Sequence, residues 1–255
     1  MGAGGVHALY RAADTPVHRL PAEVKIAATL AYVLAVVLTP PQAFWAFAVH
    51  GAVLLALVAL ARIPPLLLLR RMSVEIPFVV FALLIPLLAG GQTVEVLGFE
   101  LSQPGLVQAW NILAKATLGV GASALLATTT EVPDLLLGLQ RLRVPPVFVS
   151  IISFMVRYAD VIVAEAHRMR VARLSRGYNP RAIWEVKALA SSVGVLFVRS
   201  YERGERVYLA MVSRGYDGAM PQLHPVGSAR AGQWAGAMAA PAIAVIVMGA
   251  AWASL

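Results

Sequence analysis

Cysteine, lysine and charge are all scarce in this 255-residue chain. With no cysteine at all, disulfides, thiolate metal sites and cysteine nucleophiles are excluded. The three lysines are Lys25, Lys115 and Lys187, and none follows a glycine. The Gly-Lys-Ser/Thr core of a phosphate-cradling loop is therefore missing, and with it nucleotide binding of the Walker kind. Charged residues make up 13% of the chain against 59% hydrophobic, and mean hydropathy is +0.74. A soluble domain usually needs about a quarter of its residues charged to coat its surface. The composition reads as a membrane protein.

Metal and cofactor chemistry is also thin. The histidines are His7, His18, His50, His167 and His224, and no two lie three or four residues apart, so no metal site is expected. His50 falls inside an apolar run and reads as a buried, hydrogen-bonded side chain. Asp14, Asp134, Asp160 and Asp217 are scattered, which argues against the clustered Mg²⁺ carboxylates of a phosphate transferase. Ala89-Gly90-Gly91-Gln92 looks superficially like an ABC signature fragment, with no nucleotide-binding sequence around it. No directly bound cofactor is expected.

What the chain has is apolar runs. About 20 apolar helical residues cross a hydrocarbon core of about 30 Å, and five stretches qualify: 23–39, 43–61, 75–89, 105–127 and 232–253. The third is short and carries Pro77 and Pro86. Residues 1–22 lack an apolar run and do not read as a cleavable signal. Arg11 and Arg19 precede span one and Lys25 sits in its first turn; Thr39–Gln42 carries no charge; Arg62, Arg70 and Arg71 precede span three; only Glu95 and Glu100 follow it. A long basic stretch follows span four, and only Ser254 and Leu255 follow span five. Lys and Arg thus alternate by loop, which predicts a cytoplasmic N-terminus and an external C-terminus. The net charge of +8 fits such loops, so nucleic acid is not an expected partner. Within span four, Lys115 shares a face with Gln108 and Asn111, and no acid in these spans is an obvious partner. An ionisable residue at that depth is a functional candidate, here for contact with another membrane subunit.

The fold class expected is an all-α integral membrane protein with about five transmembrane helices and a cytoplasmic or interfacial set of three helices between spans four and five. In segments, 1–22 is cytoplasmic, 23–128 holds spans one to four, 129–231 is the helical insertion and 232–255 the last span. Thirteen of the 21 Lys and Arg residues fall between Arg141 and Arg214. The first inserted helix, about 131–142, has Thr130 as its expected N-cap, with Pro133 and Asp134 in its first turn. The second, 147–176, and third, 181–214, are apolar early and charged late; Trp184, Val186, Leu189, Val193, Leu196 and Phe197 precede the stripe Arg199, Glu202, Arg203 and Arg206. A sixth span at 147–164 is the competing topology. Arg157 and Asp160 oppose it, at about 2.5–3.5 kcal/mol each on the insertion scale.

Both long helices end alike. Ala172-Arg173-Leu174-Ser175-Arg176-Gly177-Tyr178-Asn179 is matched 38 residues later by Ala210-Met211-Val212-Ser213-Arg214-Gly215-Tyr216-Asp217. Glycine after a helix adopts the left-handed conformation without a Cβ penalty, and an arginine just before it suits the negative dipole end. Helix termination requires no particular Ser or Tyr, so two copies with both point beyond termination. Two projecting guanidiniums suit two acidic grooves, or one groove on each of two related partners.

Paired motifs of this kind ending two long helices resemble the transmembrane T component of energy-coupling factor (ECF) transporters. Val17-His18-Arg19-Leu20-Pro21-Ala22-Glu23-Val24-Lys25 resembles that family's opening His-Arg-Leu-x-Pro-x-x-Lys. Phe154-Met155-Val156-Arg157-Tyr158, with Glu165-Ala166-His167-Arg168-Met169-Arg170-Val171-Ala172-Arg173, is most similar to its CbiQ branch, associated with cobalt uptake. Ser175 and Ser213 stand where the family usually has Ala. The resemblance implies a non-catalytic subunit in a prokaryotic plasma membrane, with Ser175, Arg176, Gly177, Ser213, Arg214 and Gly215 docking on two ABC-type, CbiO-like ATPase subunits that use the ATP. It further implies that the motion of the ATPases is passed to a separate CbiM-like substrate-binding membrane subunit, with a small CbiN-like one, for the import of cobalt, with nickel, biotin or another vitamin as the alternative cargo. A stand-alone secondary transporter would need inverted repeats and broken helices; here the repeat is confined to the inserted helices.

Overall fold

A computed structural model describes residues 10–90, 92–96, 99–178, 187–216, 218 and 229–254. Two compact units divide it: residues 9–138 with 227–255 form a bundle, and a second unit is built on residues 139–226. In the bundle are α1 (Ala22–Leu38), α2 (Phe44–Leu60), α3 (Pro65–Met72), α4 (Ile76–Leu88), α5 (Gln103–Thr129) and α9 (Ala231–Ala253). α6 (Val132–Arg141) straddles the division, and α7 (Pro146–Ser175) and α8 (Lys187–Val212) belong to the second unit. Proline occupies the first turn of α3, α4, α5 and α7, where its missing N–H has no intrahelical partner to lose.

The five expected stretches form α1, α2, α3–α4, α5 and α9, but α1 and α2, at 17 residues each, are not among the helices long and apolar enough to cross a membrane. Two features depart from the all-helical reading. Thr93–Val96 (β1) and Phe99–Ser102 (β2) pair antiparallel, with Val94 opposite Leu101; the β-branched alternation of Thr93-Val94-Glu95-Val96 suits a short strand. Span three also begins earlier than residue 75, because α3 runs into α4 through one 3₁₀ turn at Ser73–Glu75. Arg70 and Arg71 therefore lie in a helix rather than a loop. Arg71 reaches the end of α5, donating to the Thr128 hydroxyl and to the Ala124 carbonyl (3.3 Å). Among the described residues four helices are long and apolar enough to cross a membrane: α3–α4 as one, α5, α9 and α7. The last was expected in the inserted set, and its apolar first half puts it in the same class by length and composition.

The core lies between α1, α2 and α5, where Tyr32, Val36, Phe47, Leu54, Leu118 and Leu125 pack with Ala244 of α9. A smaller cluster joins the start of α2 to the end of α9 through Ala43, Ala46 and Ala251. Beside it Trp252 Nε1 donates to the Leu38 carbonyl at 3.0 Å. Gly138 of α6 lies so close to α1 that a Cβ there would sit 2.8 Å from the Glu23 nitrogen.

Buried polar groups pin the bundle. Lys25 is 7% exposed, and its ammonium donates to the carbonyls of His18 (3.2 Å) and Thr129 (2.8 Å) and to the Thr130 hydroxyl (3.3 Å). The last carbonyls of a helix lack intrahelical partners, so a lysine from α1 completes the end of α5. This corrects the expected N-cap, since the Thr130 hydroxyl receives Lys25 and the next helix starts at Val132. Glu23 accepts from the Ala229 amide (2.8 Å) just before α9. His50 is fully buried, as its sequence context suggested. The Thr39 hydroxyl donates to the Ala35 carbonyl (2.8 Å), so it accepts from His50 Nε2–H (3.1 Å).

Candidate docking site

α7 and α8 end in the same hydrogen-bond pattern. At α7 the Gly177 amide donates to the Leu174 carbonyl (3.0 Å) and the Tyr178 amide to the Arg173 carbonyl (3.1 Å). At α8 the Gly215 amide donates to Val212 (3.0 Å) and the Tyr216 amide to Met211 (3.0 Å). These paired bonds form the Schellman stop, with Gly177 at φ +75° and Gly215 at φ +85°. The serines match as well: Ser175 donates to the Val171 carbonyl (3.0 Å) and Ser213 to the Leu209 carbonyl (2.8 Å). Ser, Arg and Gly are exposed in both copies and the tyrosines are half-buried.

Two other helix ends separate termination from the motif. α2 ends with Arg62 at φ +51° and the Ile63 amide on the Val58 carbonyl; α6 ends with Arg143 at φ +61° and the Val144 amide on the Leu139 carbonyl. The same stop is thus made with arginine in the left-handed position. In α7 and α8 glycine takes that position and arginine sits one residue earlier, still in the last turn. Arg176 and Arg214 therefore leave from a defined helix end, at the negative pole of the dipole. Asn179 and Asp217, the last residues of each motif, lie outside the described residues.

The helices carrying these tips are clipped together by Glu165, which accepts from Arg168 of its own helix (2.5 Å) and from Arg199 of α8 (2.5 Å). The stripe of charges on α8 showed in the sequence; its acidic partner, 34 residues earlier, did not. Ion pairs with exposed arginines add about 0–1 kcal/mol, so the clip fixes register more than stability. From it, Arg176 lies about 16 Å along α7 and Arg214 about 22 Å along α8 at 1.5 Å per residue. Trp184 and Val186 lie outside the described residues; Val193 and Phe197 of the expected apolar face are exposed.

On α5 the stripe is graded: Gln108 is exposed and Asn111 and Lys115 are half-buried. Asn111 Oδ1 is buried without a partner among the described residues. The opposite face of α5 carries a pair that sequence reasoning missed, Thr117 donating to Glu75 at 3.1 Å. Among the described residues no group of three or more His, Asp or Glu could hold a metal ion.

A family model described as "Cobalt transport protein", CbiQ, matches residues 13–225. The chain belongs to the CbiQ family. It is 29% identical over 218 residues to an energy-coupling factor transporter transmembrane protein EcfT of Heliobacterium modesticaldum, a match covering 80% of this chain and 81% of that one. A cobalt transport protein CbiQ of Rhodobacter capsulatus is 30% identical over 124 residues, 48% of this chain and 50% of the relative. A putative fused cobalt transport protein CbiMQ of Methanocorpusculum labreanum is 24% identical over 81% of this chain and 36% of its own length. The chain thus spans about a third to a half of the length of those last two curated relatives. As a family member it is a multi-pass, non-catalytic transmembrane transporter component of the ECF type.

Proposed function

We propose that this chain couples ATP hydrolysis in partner subunits to transport, with Arg176 and Arg214 each seated in a groove of one of two CbiO-like ABC ATPases. The observation that carries the reading is the duplicate helix end, which repeats backbone stop, serine bond and exposed guanidinium 38 residues apart. Neither arginine has an ion-pair partner among the described residues, and α7 and α8 have almost no buried core, so their surfaces suit subunits outside this chain. In this reading the N-terminus and residues 129–231 face the cytoplasm of a prokaryotic cell, the C-terminus lies outside, and the charged half of α7 stands clear of the bilayer. Motion of the ATPases passes through α7 and α8 to a CbiM-like substrate-binding subunit, accompanied by a small CbiN-like one. The Gln108-Asn111-Lys115 stripe meets another membrane subunit, and crosslinks from position 115 that captured only lipid would remove that part.

Cobalt is the cargo of this proposal, supported by the cobalt transport for which the matched family and two relatives are named. The EcfT relative, whose name carries no cargo, favours a second reading in which the same subunit serves nickel or a vitamin. Identifying the substrate-binding subunit that copurifies from native membranes distinguishes the two. For docking, Arg176→Glu with Arg214→Glu is expected to leave membrane insertion intact. It should cut ATPase copurification and transport by roughly tenfold or more, the scale of disrupting a buried interfacial charge pair. Unchanged copurification and transport in the double variant would end the docking assignment.

A further inference from the structure

We infer that the bundle holds one acyl chain of a membrane phospholipid in a wedge between α2 and α9. The two helices meet at one end, where Ala43 and Ala46 pack on Ala251. Towards the other end, at Leu57 and Leu60 of α2 and Gly236 and Ala240 of α9, they border a cavity of about 490 Å³ whose back wall is α1 and α5. Gly236 and Ala240 lack the bulk to close that gap. Pro241, buried at the same level, cannot donate to the Ala237 carbonyl, a loss that commonly bends a helix.

What fills the wedge follows from its walls. They are almost wholly aliphatic, and the donors of three of the four polar side chains are already committed. Lys25 holds His18, Thr129 and Thr130; the Tyr32 hydroxyl donates to the His50 carbonyl (2.8 Å); the Thr129 hydroxyl donates to the Leu125 carbonyl (2.9 Å). Water needs two to four polar partners to stay in such a site, and Thr29 alone remains uncommitted among them. The occupant is therefore apolar. The cavity falls within the about 300–1,000 Å³ that small-molecule sites occupy. Leu60 and Ile243 line the wedge yet are 52% and 45% exposed, so it opens sideways onto the apolar outer surface. In a membrane that surface meets hydrocarbon, and the mouth lies at the Lys25 end of the bundle. A phospholipid of the leaflet on that side can slide one tail inward with its headgroup left at the interface.

The inference is independent of the docking reading. The test places the full chain in nanodiscs containing phosphatidylcholine with a mid-chain diazirine, followed by photolysis and mapping of labelled residues. Labelling at Leu57, Leu60 and Ala240 is expected to exceed that at Leu30 and Leu34 severalfold; those two are exposed on α1 outside the wedge. Ala240→Phe should abolish the excess while leaving Leu30 and Leu34 labelled. Gly236→Leu, nearer the exposed rim, serves the same purpose if the larger side chain prevents insertion. Even labelling across wedge and outer face, or an excess unchanged by a filling variant that inserts, would overturn the inference. So would an excess that disappears when partner subunits are bound, since the wedge would then belong to them.

Discussion

The bundle and the α7–α8 pair treat their apolar residues in opposite ways. Among the described residues every fully buried hydrophobic side chain but Val149 belongs to the bundle. In α7 and α8, Phe148, Met155, Val163, Phe197 and Tyr201 are all more than half exposed. The bundle closes on itself and leaves its outward face to lipid. The pair leaves large apolar side chains uncovered among the described residues. Among the described residues the buried polar side chains follow the same division, with Lys25, His50, Glu75 and Thr128 in the bundle and Ser150 the exception. One region invests its sequence in internal contacts, the other in surfaces for other molecules.

Hydrogen exchange on the isolated protein is the widest test of that contrast. Local opening free energies run from near zero to the global value, so α7 and α8 should exchange about two orders of magnitude faster than α1 and α5, and slow when ATPase subunits are added. Uniform protection would break the comparison. Next in size is Lys25→Met, which strands the Thr129 carbonyl and is expected to cost the bundle about 1–3 kcal/mol, seen as a lower melting temperature with exchange in α8 unchanged. Gly177→Ala and Gly215→Ala should do the reverse. A Cβ at either glycine meets nothing within 4 Å, so the cost is backbone strain alone, about 1–2 kcal/mol. The last turn should fray and ATPase copurification weaken, while the bundle melts as before.

The smallest effect concerns His18, before α1. Its Nε2–H donates to the Arg11 carbonyl (3.1 Å), so Nδ1 is unprotonated and accepts from the Thr15 hydroxyl (2.6 Å). Burial pushes the imidazole below its ordinary value of 6.5. A proton then binds the unfolded segment more readily than the folded one, so this support is present above that value and is lost as pH falls below it. Limited proteolysis ahead of Pro21 should accelerate at mildly acidic pH. Asp14, held below the usual carboxylate range by the Arg19 guanidinium, should remain ionised throughout that interval, leaving His18 as the group that changes.

Of the helices long and apolar enough to cross a membrane, α3–α4, α5 and α9 were legible because about 20 apolar residues carry their own signal, whereas Arg157 and Asp160 had set α7 apart from them; the duplicated helix end was legible because both copies are local in sequence. The hairpin at 93–102 was not, since four-residue strands show no period long enough to stand out. The start of span three was hidden by Arg70 and Arg71, whose place in a helix depends on the remote end of α5. Thr130 read as a cap by local rules and instead serves Lys25. The stripe at Gln108, Asn111 and Lys115 stood out by its residue types, yet the buried acid of that region, Glu75, pairs with Thr117 on the other face. Each miss involves a partner more than thirty residues away or an element too short to declare itself.

The Lys25 clasp also bears on biogenesis. Thr129 and Thr130 follow Lys25 by 104 and 105 positions, and ribosomes add roughly 5–20 residues per second. For roughly 5–20 s after its synthesis, the first helix waits with an ammonium whose two most distant acceptors have yet to be made. The knot that ties the first helix to the fifth can form only once Thr130 has been made, so this part of the bundle closes after its first five helices exist, whatever the order in which they reach the bilayer.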